Sequence, residues 1–125
     1  MFGKYIIDSV TYWAKNYDID GFRFDEMTLL DSTTMNKLRA ALTALDPHII
    51  MYGEGWGDSN ANNIPETSIN NYKNVPGIGF FNPGERDAIS NNGGSAGGFA
   101  AGNTASTITV AGALLASGGW NGNGT

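Results

Sequence analysis

Three charged side chains in two short stretches are spaced for chemistry. In Ile19-Asp20-Gly21-Phe22-Arg23-Phe24-Asp25, a carboxylate closes an alternating run and Arg23 stands two positions behind it. In Tyr52-Gly53-Glu54-Gly55-Trp56, Glu54 lies between two glycines after the apolar Ile49-Ile50-Met51. Read as a strand, the first stretch turns Phe22 and Phe24 to one face and Gly21, Arg23 and Asp25 to the other. The second strand also ends in one carboxylate. Neighbouring strands lie about 4.8 Å apart, so carboxylates at matching heights stand roughly 5 Å apart. That separation suits a double displacement at a sugar's anomeric carbon. Enzymes that retain configuration hold their two carboxyls about 5–5.5 Å apart, and inverting ones hold them wider. Arg23 favours the ionised form of Asp25, as a nucleophile needs. Glu54 has no cation beside it in sequence, and Trp56 is placed to shield it from water, which suits an acid/base. Gly53 and Gly55 are expected to leave room for substrate beside Glu54. Trp56 offers a face for a sugar ring, a role that competes evenly with that of a core tryptophan.

These groups need elements to position them. The spacing predicts a helix over 2–17, with Ile6, Val10, Trp13 and Tyr17 on its buried stripe and Lys4, Asp8, Thr11 and Lys15 on a polar one. The strand 19–25 follows the stop at Asn16-Tyr17-Asp18. A second helix is predicted over about 34–45, with cap candidates between Asp31 and Thr33, a buried stripe of Met35, Leu38, Leu42 and Leu45, and Pro47 forbidding continuation. The strand 49–52 is apolar on both faces, as a parallel strand covered by helices should be. Residues 57–76 and 91–103 are expected as loops, 78–81 as a third strand, a short helix from Pro83 to Ile89, and a weak apolar helix over 105–117. Strands alternating with helices through short links indicate an α/β fold with a parallel sheet. In βα barrels the functional groups sit at the C-terminal ends of strands, where Asp25 and Glu54 both fall.

Composition narrows the alternatives. The 125-residue chain carries a net charge of −5 and no cysteine. A phosphate-tracking surface is therefore not expected, nor a disulfide framework, nor a thiolate metal site. No apolar run approaches the roughly 18–20 residues of a membrane span, so neither nucleic acid nor membrane is an expected partner. The N-terminus lacks a signal-peptide pattern, and extracellular and cytoplasmic placements both stay open. His48, at a helix-to-strand turn, reads as a surface residue. The glycine cluster 93–98 has neither a feeding strand nor the Lys-Ser/Thr pair of a phosphate loop. No run has a calcium-loop spacing, so no metal and no cofactor is expected from these residues; calcium is left open only for a full-length enzyme.

Asp20-Gly21-Phe22-Arg23-Phe24-Asp25 resembles the strand-four signature of the α-amylase family of glycoside hydrolases. Tyr52-Gly53-Glu54-Gly55-Trp56 resembles its strand-five signature in the form found in type I pullulanases. The intervening Thr34-Met35-Asn36-Lys37-Leu38-Arg39 is similar to that subgroup, as is Gly79-Phe80-Phe81-Asn82 with Arg86-Asp87 after it. The resemblance covers most of 1–125 and is strongest over 1–56. It implies a fragment of a (β/α)8 TIM barrel, roughly strands four to six with their helices. By the resemblance Asp25 is the nucleophile, Glu54 the acid/base, Arg23 the arginine that positions the nucleophile, and Trp56 a substrate-lining aromatic. The chain departs from the pattern at Glu26-Met27-Thr28, where Leu-Met-Gly is usual, and at Pro83-Gly84, where an acidic residue is usual. The family's third carboxylate on strand seven and its strand-three Asp and His have no counterpart. A whole barrel takes about 250 residues, and Met1 sits almost inside the first helix, so the sequence is expected to be part of a longer chain.

The expected function is that of a retaining hydrolase of α-glucosidic bonds, acting on the α-1,6 branches of pullulan, starch or glycogen. The chain alone, without the missing barrel strands, is expected to be inactive. An α-1,4-acting amylase relative would use the same pair. A non-catalytic carbohydrate-binding remnant would use Trp56 and other aromatics as its platform, and an inert structural fragment would use neither. Turnover on pullulan against amylose separates the first two, and binding without turnover would indicate the remnant.

Overall fold

The computed structural model describes residues 1–57, 65–90 and 97–104. The chain divides into two compact units, Met1–Phe81 and Asn82–Thr125.

In the first unit, helix α1 (Phe2–Tyr17) leads into strand β1 (Gly21–Phe24), helix α2 (Ser32–Leu45), strand β2 (Ile50–Gly53) and strand β3 (Gly79–Phe80). The three strands form one parallel sheet in the order β1-β2-β3. Arg23 pairs with Tyr52 and Phe24 with Gly53 across the first interface; Tyr52 pairs with Gly79 and Gly53 with Phe80 across the second. This is the parallel α/β arrangement that the sequence pattern implies.

The start of α2 and the end of α1 have identifiable causes. Asp31 caps α2, accepting the Thr34 N–H at 2.8 Å and the Thr34 hydroxyl at 2.6 Å. Asp18 ends α1 in the left-handed conformation, φ 51°. Ala14, Met27, Met35, Leu38, Leu42, Ile49, Met51, Val75 and Ile78 form the buried core, and Phe22, Phe24 and Phe80 pack on it from the sheet. Alternation therefore turns Phe22, Phe24, Met51 and Phe80 towards the helices, and Arg23, Ile50 and Tyr52 to the opposite face.

That opposite face is the first correction. β2 is apolar on both sides, but the described residues cover only one of them, and Ile50 and Tyr52 are exposed. The second concerns the helices. The buried line of α1 runs through Ile6, Ile7, Val10 and Ala14. Trp13 and Tyr17 lie outside it, exposed and stacked on each other at 4.6 Å, with Tyr12 against both at 6.1–6.2 Å. Leu45 of α2 is likewise exposed, one turn beyond the buried Leu42.

The stretch 57–76 has more structure than a plain loop where it is described. Asp31 and Glu66 form an antiparallel bridge, with Ser32 N–H donating to the Pro65 carbonyl at 2.7 Å and Thr67 N–H to the Leu30 carbonyl at 3.2 Å. Ser68 and Asn71 cap each other reciprocally at the head of a 3-10 segment, Ile69–Asn74.

In the second unit, helix α3 (Pro83–Ser90) is capped by Asn82, whose Oδ1 accepts the Glu85 N–H at 3.0 Å. A 3-10 turn follows at Phe99–Ala101. Gly98 lies so close to α3 that a Cβ there would stand 2.3 Å from the Ile89 carbonyl oxygen. The helix expected over 105–117 and the glycine cluster up to residue 96 lie outside the described residues.

Candidate active site at the carboxyl edge of the sheet

The site is built one row beyond the last strand pairs. Phe24, Gly53 and Phe80 share a register row, so Asp25, Glu54 and Phe81 share the next. Glu54 N–H donates to the Phe24 carbonyl at 3.0 Å and Phe81 N–H to the Gly53 carbonyl at 3.2 Å, which carries the ladder into that row. Arg23 lies two residues back from Asp25 and, by the same alternation, on the same face.

Arg23 joins the two carboxylates. Its Nη1 lies 2.5 Å from Asp25 Oδ1, and its Nη2 lies 2.7 Å from Glu54 Oε1. Two acids held by the two ends of one planar guanidinium have their nearest oxygens within about 8 Å of each other. Glu54, which sequence leaves without a cation, therefore has one. The two acids together hold the Arg23 guanidinium above its ordinary range: the Asp25 hydrogen bond contributes most, then Glu54, against some desolvation.

The acids differ in setting. The Glu54 side chain is 20% exposed and that of Asp25 is 73% exposed. Glu54 is held from several directions. Its Oε2 accepts the Glu26 N–H at 3.2 Å, and its backbone carbonyl accepts the Thr28 N–H at 3.2 Å. The turn after β1 thus wraps Glu54. Glu26 adopts φ 43° to do so, a left-handed conformation uncommon outside glycine, asparagine and aspartate. Such departures gather where the surroundings fix the chain for a purpose.

The glycines beside Glu54 make room for the protein itself. A Cβ on Gly53 would stand 2.3 Å from the Phe24 carbonyl oxygen, and one on Gly55 would stand 2.4 Å from the Phe80 ring. Beside these backbones, Trp56 is half-buried and meets the Phe81 ring at 6.1 Å with a 43° tilt. Phe81 also receives the Tyr52 ring edge-on at 5.7 Å and the Arg23 guanidinium at 5.5 Å from its centroid. Arg23, Asp25 and Glu54 are thus directly joined, and Trp56 belongs to the same cluster through Phe81. The sequence reading missed Tyr52 and Phe81 as site residues. Strand parity was the available signal, because Tyr52 and Glu54, and Gly79 and Phe81, alternate onto one face.

Other candidates stay apart. His48 is exposed, its Nδ1 2.9 Å from Asp46 Oδ1. Among the described residues no three His, Cys, Asp or Glu side chains gather into a group that could hold a metal ion. None of the described helices is long and apolar enough to cross a membrane.

A parallel α/β sheet with an arginine-bridged acid pair at its carboxyl edge is consistent with a glycoside hydrolase, and comparison with known proteins makes the class specific. The chain is a pullulanase-like glycoside hydrolase sequence. The Bacillus subtilis (strain 168) pullulanase is 39% identical over 122 residues, which cover 94% of this chain and 17% of that protein. The crystal structure of the Anoxybacillus sp. LM18-11 pullulanase complexed with maltotetraose superimposes with a TM-score of 0.80 at 43% identity, over 92% of this chain and 17% of that one. The type I pullulanase of Bacillus subtilis complexed with maltose gives a TM-score of 0.81 at 36% identity, over 94% and 17% respectively. The chain thus spans under a fifth of the length of these relatives. No family model matches it.

Proposed function

We propose that Asp25 and Glu54 are the nucleophile and the acid/base of a retaining α-glucan hydrolase of the α-amylase family. One observation carries the reading: a single guanidinium, Arg23, bonds both carboxylates at the C-terminal edge of adjacent parallel strands. In a pullulanase-like enzyme the substrate is an α-1,6-branched glucan. Glu54 protonates the glycosidic oxygen as Asp25 attacks the anomeric carbon; the C–O bond to the leaving chain breaks and an Asp25–glycosyl ester forms. Glu54, now ionised, takes a proton from water. That water cleaves the ester and frees Asp25, with configuration retained overall. Trp56 lines the sugar-binding cleft.

The sheet is read as strands four to six of a (β/α)8 barrel. Three consecutive strands pair in sequence order, helices cover one face, and the open face carrying Ile50 and Tyr52 faces the barrel interior. Strands supplied by a longer chain fill that interior and bring the third carboxylate. On this reading 1–125 form part of one catalytic barrel. No resident metal is assigned.

The test is made in the intact protein with pullulan and with aryl α-glucosides. Asp25→Ala should abolish the covalent intermediate. Glu54→Gln should slow poor leaving groups far more than activated ones, because only the former need protonation. Equal loss on both kinds of substrate would remove the acid assignment.

A further inference from the structure

Phe81 occupies the place in the third strand's row that Asp25 and Glu54 occupy in theirs, yet it carries no charge. We propose that Phe81 is the positioning residue of this site: its ring holds the Arg23 guanidinium where both carboxylates can be reached, and braces Tyr52 and Trp56 around it. The inference rests on the assignment of Asp25 and Glu54 given above.

An arginine that must bond two acids at once needs one rotamer out of many, and its long side chain has many to lose. The hydrogen bonds to Asp25 and Glu54 fix two of its nitrogens. Glu54 is held in place, but Asp25 is mostly open to water and can draw the fork to its own side. A third contact that is not an acid resists that pull. The Phe81 ring supplies it, with the guanidinium carbon 5.5 Å from its centroid, within the range at which an aromatic quadrupole attracts a cation.

The ring is itself held. Its backbone N–H is bonded to Gly53, next to Glu54. Its sides meet Tyr52 at 61° and Trp56 at 43°. Gly79, two residues back on the same face, presents no side chain beside Tyr52, where a Cβ would stand 3.2 Å from the Tyr52 Cβ. Phe81 thus couples the charged half of the site to its aromatic half. An apolar filler would need volume only; a positioning ring needs its π-face.

The experiment uses Phe81→Leu, Phe81→Tyr and trifluorophenylalanine at position 81 in the intact protein, with kcat and KM measured separately on pullulan. Phe81→Tyr keeps the π-face and should stay within about twofold of the parent. Phe81→Leu keeps apolar bulk and should lower kcat about 3–30-fold, with KM changing less. The fluorinated ring keeps the shape, weakens the quadrupole and should fall with leucine, which keeps the test decisive if the leucine variant misfolds. Parent-like kcat in the leucine or fluorinated protein would overturn the inference, as would a loss carried by KM rather than kcat. Failure of the underlying assignment looks different: Asp25→Ala would then retain turnover whatever position 81 holds.

Discussion

Arg23 stands on the first strand with Asp25 but spends half its guanidinium on Glu54, whose Oε1 lies 2.7 Å from Nη2. The arginine is therefore a shared counter-ion. Arg23→Lys offers one point charge in place of a fork and cannot bond both acids in the same way. Kinetics of the intact protein should show kcat/KM lowered by about 100-fold, and Arg23→Leu should lower it further. Parent-like kcat/KM in Arg23→Leu would mean that the bonds from Arg23 to the two acids do not bear on turnover.

The two glycines flanking Glu54 should differ in what they tolerate. At Gly55 the added methyl meets the Phe80 ring, which has some freedom to turn away, although Ser68 Cα also lies at 3.1 Å. At Gly53 it meets the carbonyl oxygen of the neighbouring strand at 2.3 Å, and that oxygen accepts the Glu54 N–H. Gly55→Ala should cost about 1–3 kcal/mol of stability, and Gly53→Ala should cost more and displace Glu54 as well. Calorimetry with kcat on each variant checks the order. A Gly53→Ala protein with parent-like melting and turnover would contradict the close approach.

Glu26 offers a substitution in the stabilising direction. Its φ of 43° strains a residue with a Cβ, and its contribution to the site is a backbone N–H that any residue except proline supplies. Glu26→Gly should raise stability by up to about 1 kcal/mol and leave Glu54 held. Denaturant melts read the gain. A loss of activity in this variant would show that the Glu26 carboxylate acts in its own right.

Much of this was legible in the sequence, and the misses share a cause. Period and caps marked α1, α2 and the strands to within a few residues, because Asp31, Asp18 and Pro47 punctuate the chain locally. Alternation put Arg23 and Asp25 on one face. What sequence hid was contact between distant segments. Glu54 shows no cation near it in sequence because its cation is Arg23, on the neighbouring strand. Gly53 and Gly55 suggest space, and only the approach of Phe24 and Phe80 shows that protein fills it. On α1, the small Ala14 takes the buried position, and the larger Trp13 and Tyr17 drew attention to the wrong edge. The structured part of 57–76 is built from Ser68, Asn71 and the Asp31–Glu66 bridge, and its polar composition resembles that of any loop.

Asp31 supplies a pH-dependent part of the stability. The Thr34 hydroxyl, and then the Thr34 N–H, hold its carboxylate below the usual range, against a little burial. A depressed carboxylate contributes stability that is complete above the unfolded value, about 3.9, and is lost as pH falls through the lower folded value. Asp31→Ala should therefore cost about 1 kcal/mol at neutral pH, and the difference from the parent should shrink towards pH 2. Asp31→Asn keeps an acceptor and should cost less. A difference independent of pH would assign the effect to helix propensity alone.

The last prediction concerns residues 1–125 expressed by themselves. Within the described sheet, β1 and β3 each pair only with β2, so each offers a free edge. Ile50 and Tyr52 are exposed on the sheet face opposite the helices, and Phe2, Tyr5, Tyr12, Trp13 and Tyr17 are exposed on α1. Open edges and a run of exposed aromatics favour association over a monomer. Chemically, among the described residues no strand faces the two acids and Arg23 to orient a glucan, and orientation is worth several kcal/mol of barrier, about 7–11 at the most favourable. The isolated chain should therefore self-associate or show poorly dispersed amide resonances, and its hydrolysis of pullulan should stay at background. On the barrel reading proposed above, addition of a polypeptide carrying the other strands should restore both dispersion and turnover. A monomer that melts cooperatively and cleaves pullulan unaided would instead make this three-stranded sheet a sufficient scaffold, and the barrel reading would fall.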